Sequence, residues 1–270
     1  NENYMSSKQH LEGYPHCSHR RCQKFESSIT HHIRLFVPPS GDRGAMCNLY
    51  ANTTAPDEMR RLFDVGPARD RLGNAAPQPA IFPRDSAPVV RLREDGAREL
   101  GRMQWGFLLP QVSKRTGRPI LPKPVTNARD DTLDRSPFWR ESFEARRCLV
   151  PATAFCEPKG RTPAVQHWFG LTARDPDPRP PFAFAGIWRR WRGEIKGNPV
   201  DLDVYAIVTT RPNALVARVH PDRMPVILDA GDHAVWLSGT PDAAARLLRP
   251  LPDTRMRLVR QGAGVTADRR

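Results

Sequence analysis

The sequence predicts an α+β protein, a single domain in which a mostly antiparallel, barrel-like β-sheet carries peripheral helices. Three observations predict it. β-Type runs recur from residue 87 onward, each short and bounded by turn residues. Helical patterns are few and irregularly spaced, which excludes the strand–helix alternation of a doubly wound sheet. The chain also holds 28 prolines among 270 residues, in keeping with many turns and edge strands. That length supplies ample material for one large core.

Taken in order, residues 1–45 stand apart. "QHLEGYPHCSHRRC" and the later "HH" are rich in histidine, apolar residues are sparse, and the run from Ile33 to Val37 stops at Pro38-Pro39. A disordered or non-native extension, such as upstream translation, is expected there. The domain itself is expected over 46–260, with 261–270 as a flexible tail.

In "TTAPDEMRRLFDVG", Pro56 marks a helix start, Met59, Leu62 and Phe63 share a face, and Gly66 ends it. "SPFWRESFEARR" predicts a second helix with Ser136 as N-cap and Pro137 at its first position. "RPNALVARV" and "PDAAARLL" predict two more short ones. The strands expected between them are "APVVRL", "CLVPA", "FAFAGIW", "DVYAIVTT" and "MPVIL", and "ARDPDPRPP" reads as an exposed loop.

Composition narrows the function classes. The formal net charge of +13 favours a polyanionic partner, and nucleic acid is the commonest. No apolar run approaches the ~18 residues of a membrane span. No apolar stretch of a secretory signal opens the chain, and five scattered cysteines do not suggest a disulfide framework, so a reducing cytoplasm is expected.

"GDRGAMCNLY" raises the central chemical question. If Met46 initiates translation and is removed, Cys47 carries a free α-amine and a thiol. Their ordinary pKa values, roughly 7.7–8.0 and 8.5, give each a reactive fraction near neutrality. Together they make a 1,2-aminothiol, which condenses with an aldehyde to a Schiff base and closes a five-membered thiazolidine. An interior cysteine cannot do this, because its nitrogen is an amide; such a residue is ordinarily a small buried hydrophobe. Glu157, in "CLVPATAFCEPKG", follows a core-like strand and suits general acid–base work, or else it is a loop residue paired with Lys159. His220, in "ALVARVHPDRMPVIL", is a proton shuttle or a helix-end partner. Asn127 and Arg129 of "VTNARDD" offer an amide for a sugar oxygen and a cation for a phosphate, and Arg223 and "WRRWRGEIK" add cations and rings.

"MC", "NAAPQPA", "MQWGFLLP", "NARDDT", "RRCLVPATAFCE", "FAFAGIW" and "VHPDRMPVIL", in that order, resemble the SOS-response-associated peptidase (SRAP) family of abasic-site processing proteins. The resemblance implies that Cys47, once Met46 is lost, crosslinks to the aldehyde of an abasic site in single-stranded DNA. It implies that Asn127 orients the sugar, Glu157 transfers protons and His220 donates to the sugar oxygen. It also implies DNA contacts at Arg129, Arg223, Trp105 and Asn74, removal of the leading residues by an autopeptidase step, and a lyase activity in reversal. No cofactor or metal is expected, and the protein is expected to act as a monomer.

Two departures stand out. Cys47-Asn48-Leu49 replaces the family's usual Cys-Gly-Arg, and Cys156-Glu157-Pro158 replaces aromatic-Glu-Trp, so the grip on DNA is expected to differ while the chemistry is kept. A competing reading is an N-terminal-nucleophile cysteine peptidase or amidase using Cys47 with Glu157 or His220. A third, a zinc-assisted binder built on His16, Cys17, His19 and Cys22, is disfavoured because those spacings are too tight for a paired-ligand site.

Overall fold

The computed structural model describes residues 48–160, 163–174, 179–264 and 266–267. The expected extension over 1–45 and the four residues of the zinc reading lie outside this range, as does part of the expected loop at 173–181. Chain order begins with β1 (Tyr50–Asn52), helix α1 (Pro56–Leu62) and β2 (Gln78–Ile81). Next come β3 (Ser86–Leu92), β4 (Arg98–Trp105) and a hairpin of β5 (Phe107–Val112) with β6 (Pro119–Val125). The short β7 (Asn127–Arg129) and α2 (Arg140–Ala145) lead into β8 (Arg147–Ala152), β9 (Ala154–Lys159) and β10 (Val165–Leu171). Two long strands, β11 (Phe182–Ile195) and β12 (Asn198–Thr210), pair as a hairpin. The remainder is α3 (Ala214–Ala217), β13 (Met224–Pro225), β14 (Ile227–Leu228), α4 (His233–Ser238), α5 (Pro241–Ala245) and β15 (Met256–Ala263).

Pairing runs from β12 to β4, β3, β8 and β11 and returns to β12, so these strands close a barrel. Every step is antiparallel except β12 to β4. A second sheet, ordered β15-β10-β9-β1-β2, is joined to the barrel through the β8–β9 corner. The expected fold class is the observed one. Its strands alternate between two cores. Ala183, Ala185, Ile187, Val204, Ala206 and Val208 pack with Met59, Phe63, Phe143 and Trp236 of the helices. Phe182, Phe184, Tyr205 and Ile207 instead pack with Tyr50, Phe155 and Phe169 of the second sheet. Burial on both faces explains why "FAFAGIW" and "DVYAIVTT" are apolar throughout rather than alternating.

Local signals placed several elements well. α1 starts with Pro56 at its first turn and buries Met59, and Asn213 and Thr240 cap α3 and α5 by accepting from the amides of Val216 and Ala243. Elsewhere tertiary pairing overrode them. The helix expected from Ser136 begins only at Arg140; Ser136 caps a preceding turn, accepting from the Phe138 and Trp139 amides. "MPVIL" splits in two. β11 and β12 part beyond the Gly186–Ile207 pair, and the segment slots between them, β13 on β12 and β14 on β11. Val226 bridges the gap, donating to Val208 and accepting from Ala185. β11 itself continues through "WRRWRGEI", and β15 carries the domain past residue 260 to Ala263, with Ala267 buried beyond it. Residues 261–263 of the expected flexible tail at 261–270 are thus a paired strand. Among the described residues no helix is long and apolar enough to cross a membrane.

One glycine aims the hairpin that follows β4. Gly106 has φ +110° and donates to the Tyr205 carbonyl, and a Cβ there would lie 2.7 Å from that of Pro124. Only glycine tolerates both constraints.

α4 was not foreseen, and its first residue has a stability consequence. His233 is 4% exposed against Phe63. Burial, with Arg98 nearby, pushes its pKa down to about 4. It stays neutral in the fold, while the unfolded chain takes a proton below about pH 6.5. Folding stability should therefore be full above that pH and fall, by roughly 2–3 kcal/mol, as pH drops toward 4. Urea unfolding at pH 7 and pH 4.5 should show this slope in the wild type and a flatter one in His233→Asn. Equal slopes would assign the acid sensitivity to the carboxylates.

Candidate active site

Cys47 lies outside the described residues; Asn48, which is bonded to it, is described. Asn48 Oδ1 accepts from the Thr126 hydroxyl at 3.2 Å, and the Leu49 carbonyl accepts from the Cys156 amide at 2.9 Å. The β1–β9 register pairs Tyr50 with Phe155 and Ala51 with Ala154. Carried on through Leu49 and Cys156, it sets Asn48 across from Glu157. Glu157 is 1% exposed and lies on a strand, not in a loop. Lys159 does not pair with it, since the Lys159 ammonium donates to the Arg218 carbonyl at 2.7 Å. Two residues on, in chain order, stands His220.

Asn127 opens β7 beside the splayed end of β12, 7% exposed, and its amide donates to Thr126 Oγ1 at 3.0 Å. Thr126 thus links Asn127 to Asn48. Sequence reasoning passed over Thr126, although it sits next to Asn127 in "VTNARDD". Trp105 supports the same point from within. It is fully buried and its indole donates to the Thr126 carbonyl at 3.1 Å. The DNA contact expected of Trp105 is corrected here, because its ring offers no face to a base; it holds Thr126 in place.

His220 follows α3 and is 8% exposed. Its Nδ1 lies 3.1 Å from the Arg223 amide and 3.0 Å from the Arg223 carbonyl. An amide N–H can only donate and a carbonyl can only accept, so Nδ1 bonds the amide when it is bare and the carbonyl when it carries a proton. In the charged ring Nδ1–H turns to the carbonyl, so the turn holds the imidazole in either state. Arg223 is 8% exposed and donates to Asp130 at 2.6 Å and to the Thr209 carbonyl at 2.7 Å. This corrects its expected phosphate contact: its charge is answered inside the protein, and it fastens the His220 turn to the end of β7. Arg129 is half exposed and forms a two-point pair with Asp131. A pair so exposed contributes at most about 1 kcal/mol, so a phosphate can displace the carboxylate. Asn74 is exposed in the bend before β2. Asp130, Asp131 and Asp222 make this patch less basic than the net charge of +13 suggests.

Four contacts tie these segments together: Asn48 to Thr126, Asp130 to Arg223, Lys159 to Arg218, and Leu49 to Cys156. Asn127, Glu157 and His220 each lie within a few residues of a link and are all buried, Asn127 at the start of β7, Glu157 within β9 and His220 just past α3. The described cysteines are poor nucleophiles. Burial raises the thiol of Cys148, and burial then Glu157 push that of Cys156 up to about 12. Among the described residues no three His, Cys, Asp or Glu side chains are grouped to hold a metal ion.

The sequence profile described as SOS response associated peptidase (SRAP) matches residues 46–266. The chain belongs to the SRAP family. Its relatives in that family include the abasic site processing protein YoqW of Bacillus subtilis, 32% identical over 210 residues, which cover 76% of this chain and 87% of YoqW. The abasic site processing protein HMCES of Xenopus tropicalis is 25% identical over 228 residues, covering 71% of this SRAP chain and 66% of HMCES. A crystal structure of a Bordetella bronchiseptica protein shares the fold with a TM-score of 0.60 at 23% identity, covering 80% of this chain and 99% of that one.

Proposed function

We propose that this SRAP protein processes abasic sites in DNA, and that Cys47, once it is the first residue, crosslinks to the lesion. The observation that carries the reading is the series of hydrogen bonds that ties Asn48, the residue bonded to Cys47, and Leu49 to the segments of Asn127, Glu157 and His220. The names of the relatives and the charge of +13 support the same partner.

The chemistry runs in three steps. The sugar at an abasic site must open before it exposes an aldehyde, and its ring oxygen needs a proton as the C1–O bond breaks. The charged His220 ring, its Nδ1–H held by the Arg223 carbonyl, supplies it from Nε2, and the C1 hydroxyl gives its proton to water as the C=O forms. The α-amine of Cys47 then attacks the aldehyde carbon. Glu157 takes the ammonium proton and returns it to the departing hydroxyl, which leaves as water. Finally the thiol sulfur attacks the imine carbon, the C=N electron pair moves to nitrogen, the nitrogen takes up the proton the thiol gives up, and the thiazolidine closes. Asn127, steadied through Thr126, holds the sugar by hydrogen bonds. Single-stranded DNA is the fitting substrate, because an extruded sugar must reach groups set deep at the strand ends.

Crosslinking rates on a single strand with one abasic site test the assignment, with an intact strand as control. Glu157→Gln should slow adduct formation by about 10²-fold, the lower end for removal of a general acid–base. His220→Gln should slow it most where ring opening limits the rate. A Glu157→Gln rate equal to wild type would remove Glu157 from the chemistry.

A further inference from the structure

Around the start of β1, successive side chains alternate between the two sides of the second sheet. Leu49 and Ala51 pack with Cys156 and Trp168 on one side. Tyr50 packs on the other, against Trp105, with ring centres 5.1 Å apart. Asn48 takes the Tyr50 side, where its Oδ1 accepts from the Thr126 hydroxyl at 3.2 Å. Thr126 is itself held firmly. Its carbonyl accepts from the Trp105 indole at 3.1 Å and from the Ile207 amide at 2.9 Å, and its Oγ1 accepts from the Asn127 side chain at 3.0 Å. An amide nitrogen can only donate, so the one hydroxyl proton of Thr126 is left for Asn48. The glycine usual in the family at the position of Asn48 has no side chain to accept it, and where arginine is usual Leu49 is buried.

We propose that Asn48 and Thr126 are a positioning pair for the nucleophile, fixing the residue bonded to Cys47 before any DNA is bound. The proposal rests on the crosslinking role of Cys47 stated above. The first residue of a chain ordinarily rotates freely, and that freedom must be given up when it reacts. Here the Cys156 amide holds the Leu49 carbonyl and Thr126 holds the Asn48 side chain, so the torsions of Cys47 itself are the main freedom left to the amine and thiol. The same hydroxyl is bonded to Asn127, so the nucleophile and the amide assigned to the sugar share one fixed point.

Adduct formation by chains that begin at Cys47 tests the pair. The maximal rate and the half-saturating concentration are measured separately on a single strand carrying one abasic site. Asn48→Ala should slow the maximal rate about tenfold, the size of ordering one residue's backbone. Half-saturation should stay unchanged, because Asn48 touches Thr126 rather than the sugar. Thr126→Val, which keeps the branched shape and loses the hydroxyl, should slow the reaction at least as much, and Thr126→Ser should restore it. The double variant should be no slower than Thr126→Val alone, since one bond is lost in each. Wild-type speed in Asn48→Ala, or losses that multiply in the double variant, would overturn the proposal. Glyoxylate, a small free aldehyde whose adduct is read by intact mass, is run in parallel. If the wild type closes a ring with glyoxylate and not with the strand, the abasic-site reading fails, and the same comparison of variants on glyoxylate decides the pair. Uptake of neither aldehyde would refute both.

Discussion

A chain that begins at Cys47 should convert a single strand carrying one abasic site into a heat-stable adduct, and the chain with Gly44-Ala45-Met46 still attached should give none. With the leading residues in place the Cys47 nitrogen is an amide, too weakly basic to attack an aldehyde. Its thiol alone yields a reversible hemithioacetal, which falls apart on a denaturing gel. The described cysteines offer no substitute, since burial raises the thiols of both Cys148 and Cys156. Cys47→Ser with a free amine should form at most a labile Schiff base, because a hydroxyl closes the ring poorly. Cys47→Ala should keep the amine and lose the stable product. A stable adduct from the extended chain, with mass spectrometry showing no cleavage before Cys47, would sink the aminothiol mechanism and favour a simple thiol nucleophile.

Arg147→Met should cost roughly 3–5 kcal/mol of stability and lower the Tm by about 10 °C, the largest loss expected from a single change away from the site. Arg147 opens β8 and is 6% exposed, and burial lowers its pKa. Its guanidinium donates to the carbonyls of Phe143 at 2.6 Å and Glu144 at 3.1 Å at the end of α2, and to those of Trp236 and Gly239 at the end of α4. One fork thus satisfies carbonyls at two helix ends, where no intrahelical donor exists. Methionine fills the space and leaves two buried acceptors, on Phe143 and Trp236, and two part-buried ones, on Glu144 and Gly239, without this donor. Arg147→Lys should recover little, because one ammonium cannot reach both helix ends. Denaturant unfolding of the three proteins checks this, and a loss below about 1 kcal/mol in Arg147→Met would show that water replaces the fork.

Much of this protein was legible in its residues, and what was not legible follows a pattern. Helix starts depend on groups within four residues of each other, so Pro56 and the two short helices that Asn213 and Thr240 cap could be read directly. Apolar runs marked β8, β11 and β12 for the same local reason. Asn127, Glu157 and His220 were singled out by motif, as polar residues beside core strands, and Cys47 by the dipeptide with Met46. Arg147, in contrast, looks like any arginine after a helix, and His233 like any exposed histidine; nothing local announces their burial.

By itself the sequence marked five β-runs and the start of α1, and it singled out the side chains proposed for the chemistry. Only the tertiary structure decided that Trp105 props Thr126 from the core, that Arg223 spends its charge on Asp130, and that "MPVIL" divides between two strands. The physical reason is range. Propensity and capping act between neighbours in sequence, whereas burial and charge pairing are set by which distant strands meet when the barrel closes.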